Sequence, residues 1–298
     1  MRVLEKALVE DFMFKIKNIK VSRVAIALSL LFLCSCSASF TYNNLTWLSS
    51  FWVDDYIDLN KQQNKQLKSI INTTQQWHRT TQLPAYKQDI LNLKGLFNQQ
   101  LDYQKLKSQV VLARAHFQNI LEHAHIPLAQ LGLTLSYAQR EELIANIQTQ
   151  INEEYEEFNE LTAQERKSER LERQLDYYKQ WLGKLTPVQT QLITQANNAH
   201  YDSSLLWHQY KQTRLNAAQQ VLLNKALSEA EFVKQLSYVI TQREAYMSEE
   251  LLASNDANLA LYVNLLIELN TTLSEQQRES VNDEFDELIN TLTDLIED

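Results

Sequence analysis

Leu185-Thr186-Pro187-Val188-Gln189 reads as the start of an α-helix. A threonine hydroxyl at the cap accepts from the backbone N–H three residues on, while the glutamine there reaches back to the cap's own N–H. Leu185 is the apolar residue before the cap, and Pro187 falls at the first helical position, where its missing donor does no harm. The same pattern of apolar residue, Ser/Thr/Asn, two spacers and Gln/Glu recurs at Leu59-Asn60-x-x-Gln63, Leu135-Ser136-x-x-Gln139, Leu161-Thr162-x-x-Glu165, Leu227-Ser228-x-x-Glu231 and Leu273-Ser274-x-x-Gln277. Each precedes an apolar stripe of helical period. Among 298 residues there are only three Gly and three Pro, too few for the hairpins of a sheet protein or for phosphate-binding loops. The fold class expected is all-α, an elongated multi-helix bundle.

The caps divide the chain. A short aromatic helix is expected over 43–57, then helices over 60–79, 83–99 (opened by Leu83-Pro84) and 102–124, stopping before Ile126-Pro127 with a connector over 127–134. Ser136 to Leu182 carries one long stripe through Leu143, Ile147, Ile151, Tyr155 and Phe158, which can continue past Thr162 to a stop at Gly183. Further helices are expected over 186–224, 228–253, 255–270 and 274–295. The spacings between boxes, 76, 26, 24, 42 and 46 residues, are too uneven for a solenoid.

Upstream, Lys15, Lys17, Lys20 and Arg23 lead into the apolar run Val24 to Cys36. Thirteen helical residues reach about 20 Å, short of the ~30 Å bilayer core but suited to a secretion signal. Leu33-Cys34-Ser35-Cys36 has the form of a bacterial lipobox, with Cys36 the acylated residue; cleavage near Ser35 to Ser39 without lipidation is the alternative. Residues 1–35 are therefore expected to be a signal peptide and residues 36–298 a single lipid-anchored helical domain. Glu5, Glu10 and Asp11 dilute the leader's charge, so Met13 makes the better start. Residues 1–36 carry +3, which leaves −12 on the remainder against −9 for the whole chain. So acidic a body repels nucleic acid, which is not an expected partner. Both cysteines lie in the lipobox, so no disulfide frame or thiolate metal site is open to the rest.

Several runs resemble a family of Gram-negative bacterial lipoproteins of unknown function. They are Tyr42-Asn43-Asn44-Leu45, Trp47, Trp52 through Leu59, Trp77-His78-Arg79 with Leu83-Pro84-x-Tyr86, the Arg/Lys-rich stretch 166–173, and Trp181-Leu182-Gly183-Lys184-Leu185-Thr186-Pro187-x-Gln189. The resemblance implies a helical, outer-membrane-anchored periplasmic protein without an established activity. Leu185-Thr186-Pro187-Val188-Gln189 also resembles the Leu-Thr-x-x-Gln motif of Spy-type periplasmic chaperones, while the other boxes vary at the second or last position; such a motif is equally a good helix start.

Trp47, Phe51, Trp52 and Tyr56 follow the tether closely. Such rings suit a membrane interface, but packing into the helical body is their more ordinary use. His116, His123 and His125 lack ligand spacing, so no metal is expected. His78-Arg79 reads as a helix-end cation pair that complements the dipole. Asp54, Asp55 and Asp58 should face solvent. Glu165 to Arg173 mixes charges at helical spacing, as a solvated helix does, although Arg166, Arg170 and Arg173 share a side. No catalytic motif is legible and no cofactor is expected. The functional expectation is a non-catalytic outer-membrane lipoprotein, an adaptor or envelope assembly factor whose partners are the membrane, through acylated Cys36, and an unidentified envelope protein. A holdase-like chaperone is the alternative, and a cell-envelope hydrolase a more distant one.

Overall fold

A computed structural model describes residues 39–298; the leader and Cys36 lie outside the described residues. Those described form an all-α, multi-helix bundle with no strand among them. After a helical stretch over 39–43 come α1 (Leu45–Asp54), α2 (Lys61–Trp77), a π-helical turn (His78–Gln82), α3 (Leu83–Phe97), α4 (Tyr103–Thr134), α5 (Tyr137–Glu160), α6 (Ala163–Leu182), α7 (Pro187–Ala199), α8 (Ser204–Leu222), α9 (Glu229–Thr241), a 3-10 turn (Arg243–Tyr246), α10 (Glu249–Thr271) and α11 (Glu275–Glu297).

Five of the six boxes close in both directions, at Asn60, Ser136, Thr162, Thr186 and Ser274. Ser228 caps α9 in one direction only, accepting from Glu231 N–H at 3.3 Å. Its Glu231 turns away to Gln235 Nε2 at 2.9 Å.

Several expected boundaries are corrected. Pro84 does not open a separate helix; α2, the π turn and α3 run on without a break. A proline lacks a donor and crowds the carbonyl four residues back. Here the widened turn moves the bonding to i−5, with Leu83 N–H on His78 O. Thr80 and Thr81 hydroxyls donate to the carbonyls of Gln76 and Trp77 at 3.0 and 2.6 Å. Nor does Pro127 end α4, which continues to Thr134. The segment beyond it holds the buried Ala129, Leu131 and Gly132, and α4 packs along α9. A Cβ at Gly132 would stand 3.0 Å from Leu236 Cδ2, so the glycine permits the close crossing. That burial outweighs the ~3 kcal/mol cost of an interior proline.

The long stripe after Ser136 divides at Leu161, where Thr162 starts α6. The stretches expected over 186–224 and 228–253 divide as well. Breaks at His200 to Ser203 and at Gln242 to Ser248 let α7, α8, α9 and α10 turn back on one another, and Ser248 rather than residue 255 begins α10. Arg166, Arg170 and Arg173 are not one solvated face. Arg166 stacks over Phe158 at 3.8 Å, donates to the Phe158 and Leu161 carbonyls and pairs with Asp202 at 3.3 Å. Arg170 donates to Asn197 Oδ1 at 2.8 Å. Only Arg173 stays in solvent, beside Glu169. The first two tie the start of α6 to the ends of α5 and α7.

The glutamines of the boxes do more than cap. Gln63 and Gln139 exchange amide bonds, Nε2 to Oε1 at 3.1 and 2.9 Å. Each also donates to the carbonyl two residues before the other's cap, Thr134 O at 2.8 Å and Asp58 O at 2.7 Å. Gln189 and Gln277 repeat the arrangement bond for bond, at 2.9 and 3.0 Å between amides and with the carbonyls of Thr272 and Lys184. The arginine following each second glutamine reaches across to the end of another helix, Arg140 to Leu222 O and Arg278 to Phe97 O. The helices around the two knots correspond: α2 packs on α4 as α7 packs on α10, and α5 packs on α8 as α11 packs on α3. Two halves of like build thus interlock, each lending its last helix to the other, with α9 lacking a counterpart.

Candidate functional site

The π turn is where the motif around His78 comes together. π turns replace helical bonds with a wider loop and recur at functional positions. Here the turn swings His78 towards the stretch that precedes α1. His78 Nδ1 stands 3.0 Å from Tyr42 Oη and its Nε2 3.1 Å from Tyr86 Oη. Tyr42 Oη also donates to Gln75 O at 3.2 Å, and Gln75 Nε2 donates back to Tyr42 O. With the Tyr42 proton on Gln75 O, the arrangement assigns His78 as the Nδ1–H tautomer, donating to Tyr42 and accepting from Tyr86. Burial holds His78 down at about 4, with His116 a second cause, so the ring is neutral. Burial raises Tyr42 and Tyr86 to about 12, partly offset at Tyr42 by Arg79 and reinforced at Tyr86 by Tyr42. The expected helix-end cation pair is therefore overturned: the helix runs through, and His78 is an uncharged link in a relay of three rings.

Around this relay stand further anchors. Arg79 lies 5.2 Å from the Tyr42 ring centroid and donates to Asn43 Oδ1 at 2.6 Å. Asn43 Nδ2 donates to Asp298 at 2.9 Å, which brings the end of α11 into the same knot. Tyr86 packs on the His116 ring at 4.2 Å, and His116 Nε2 pairs with Asp89 at 2.7 Å. Trp77 stacks on His123 at 4.0 Å. Leu83, Leu292 and Leu295 form the apolar floor, with Tyr42 and Tyr86 against it. Chemically the arrangement is a clasp. It joins residues 42–43 to α2, the π turn, α3 and α11 through neutral or paired groups.

The remaining site residues lie elsewhere. Trp181 packs edge-on against Phe285 at 5.3 Å, Gly183 ends α6 with φ +69°, and Thr186 and Gln189 belong to the second glutamine knot. The structure does not bring this group to the His78 clasp. Tyr56 is tied to α5, its hydroxyl on Gln150 Oε1 and its carbonyl accepting from Asn146 Nδ2 at 2.9 Å. Trp47 and Phe51 are 55% and 56% exposed, which overturns packing into the body for these two rings; Trp52 is also exposed. Asp54 and Asp58 are exposed as expected. Sequence reasoning did not place Gln75, Asp89 or Asp298 in any site. A single glutamine or carboxylate without spacing carries no signal, and Asp298 acts only because α11 brings it there. Among the described residues no group of His, Cys, Asp and Glu could hold a metal ion, and no helix is long and apolar enough to cross a membrane.

Residues 55–252 match the model of a family of unknown function, DUF6279, and the chain belongs to that family. The matched span covers the π turn, the Gln63–Gln139 knot and Gln189 but stops short of Gln277. No curated protein and no solved structure matches the chain.

Proposed function

Starting from this membership, we propose that the protein is a non-catalytic lipoprotein of the bacterial outer membrane. Its helical body serves in the periplasm as an adaptor or envelope assembly factor, held by lipid on Cys36. The observation that carries this reading is the clasp. Tyr42 and Asn43, six and seven residues after Cys36, are fastened to Gln75 at the end of α2, to His78 and Arg79 of the π turn, and to Asp298 at the end of α11. A long linker would let the body tumble, whereas a chain fastened from Tyr42 onward leaves only five residues between Cys36 and the clasp and keeps the body close to its attachment point, as a scaffold for other envelope proteins requires. Labelled palmitate should enter the protein and be lost with Cys36→Ser, and crosslinking in cells should return one defined partner. A protein without label, released from membranes whether or not Cys36 is replaced, would end the reading.

Exposed Val111 and Leu112 on α4, together with the resemblance of the box at 185–189 to that of Spy-type chaperones, favour a holdase as the second reading. Suppressed aggregation of unrelated denatured proteins, abolished by Val111→Ser with Leu112→Ser, would select it over the adaptor.

A further inference from the structure

The described residues begin with a stretch whose two faces differ sharply. Tyr42, Thr46, Ser49 and Val53 face α2: Tyr42 through the clasp, Thr46 through Asn72 Oδ1, Ser49 buried, and Val53 in a cluster with Leu67 and Ile71. Phe40, Trp47 and Phe51 recur at i, i+7 and i+11 on the opposite face. All three are more than half exposed, and Trp47 and Phe51 meet edge-on at 4.9 Å. We propose that this aromatic face of the α1 region is a lipid-contact surface that seats the body on the leaflet in which Cys36 is anchored. The proposal rests on the anchored reading above and adds a second, non-covalent attachment.

Reach argues for lipid as the occupant. Four residues separate Cys36 from Phe40, at most about 14 Å of extended chain. Seven more residues of helical chain bring Trp47 only ~10 Å further. An acyl chain in the leaflet therefore keeps these rings within reach of the interfacial zone, where Trp and Phe are favoured. Charge argues the same way. Residues 37–53 hold no Lys, Arg, Asp, Glu or His, in a chain of net charge −9. This neutral window approaches a headgroup layer without desolvating an ion or repelling an anionic lipid. Because the inner face of α1 is already fastened, the rings are presented with little further ordering cost.

The test uses the chain beginning at Cys36, its one remaining thiol, coupled to a maleimide-bearing lipid. The vesicles contain phosphatidylethanolamine and phosphatidylglycerol with brominated acyl chains. Coupling places Cys36 at the surface whether or not cells acylate it, so a failed palmitate label sinks the anchor without deciding the seating. Trp47 and Trp52 are exposed, while Trp77, Trp181 and Trp207 are partly buried in ring contacts on the body. Bromine should quench a share of the emission that disappears in Trp47→Phe with Trp52→Phe and is strongly reduced in Phe40→Ser with Phe51→Ser. Emission equal on brominated and plain vesicles would overturn the proposal. So would unquenched emission accompanied by self-association that Trp47→Ser with Phe51→Ser abolishes, which would make a second copy the occupant. Circular dichroism on each variant confirms that the helices persist.

Discussion

Replacing Gln189 by Ala removes a side chain with 0% exposure from the centre of the second knot. Its Oε1 accepts from Thr186 N–H at 2.9 Å and from Gln277 Nε2 at 3.0 Å; its Nε2 donates to Gln277 Oε1 at 2.9 Å and to Thr272 at 3.2–3.3 Å. Four bonds at a net ~1 kcal/mol each put the loss at about 4 kcal/mol. Gln277 keeps its Lys184 and Ser274 partners, so its own amide is not wholly stranded and the figure needs no added penalty for a bare polar group. Two of the four bonds are shared with Gln277. A double-mutant cycle with Gln277→Ala should therefore return a coupling of about 1–2 kcal/mol. Urea unfolding followed by circular dichroism measures all three variants. Glu165→Ala is the control, since that box closes on itself in solvent with no bond to another helix, and it should shift the midpoint far less. Additive losses at 189 and 277, or a Gln189→Ala no weaker than Glu165→Ala, would refute the view that the knots bind helix to helix.

Other outcomes follow from the same geometry. His78 is held at about 4, below its ordinary value of about 6.5. The unfolded chain therefore takes up that proton first, and the stability contributed by the neutral ring, complete above about pH 6.5, is lost as pH falls towards 4. The urea midpoint of the parent should fall more steeply over that window than that of His78→Gln; parallel curves would count against a buried neutral ring. Gly95 has no atom within 4 Å of an added Cβ and sits inside α3, so Gly95→Ala should stabilise by roughly 0.5–1 kcal/mol in denaturant. Gly132→Val should instead cost ~1–3 kcal/mol by forcing α4 from α9. Equal effects at the two glycines would remove the close crossing from the account.

The helix starts at residues 60, 136, 162, 186 and 274 were legible because a capping box is a local device: hydroxyl, amide and backbone lie within four residues of one another. The stops were less so. Pro84 and Pro127 look like breaks from within the chain; the widened π turn carries the helix past the first, and the burial of Ala129 and Gly132 against α9 carries it past the second. The clasp was half legible. His78, Arg79, Leu83, Pro84 and Tyr86 stand together in the sequence, but the partners that make them a site, Tyr42 and Asp298, are 36 and 220 residues from His78 in number. Charge spacing suggested a solvated Arg face on α6, yet Arg166 and Arg170 are drawn to carbonyls freed where α5 and α7 end.

What the amino-acid order alone determined is the all-α class, most of the helix starts and the neutral aromatic stretch beside Cys36, because propensity, caps and composition act over a turn or two of chain. What only the tertiary structure decided is that two pairs of capping glutamines lock separate helices together, that His78 is neutral within a ring relay, and that Trp47 and Phe51 face outward. Each depends on which surfaces the packed helices leave buried, and burial is a property of the assembled fold.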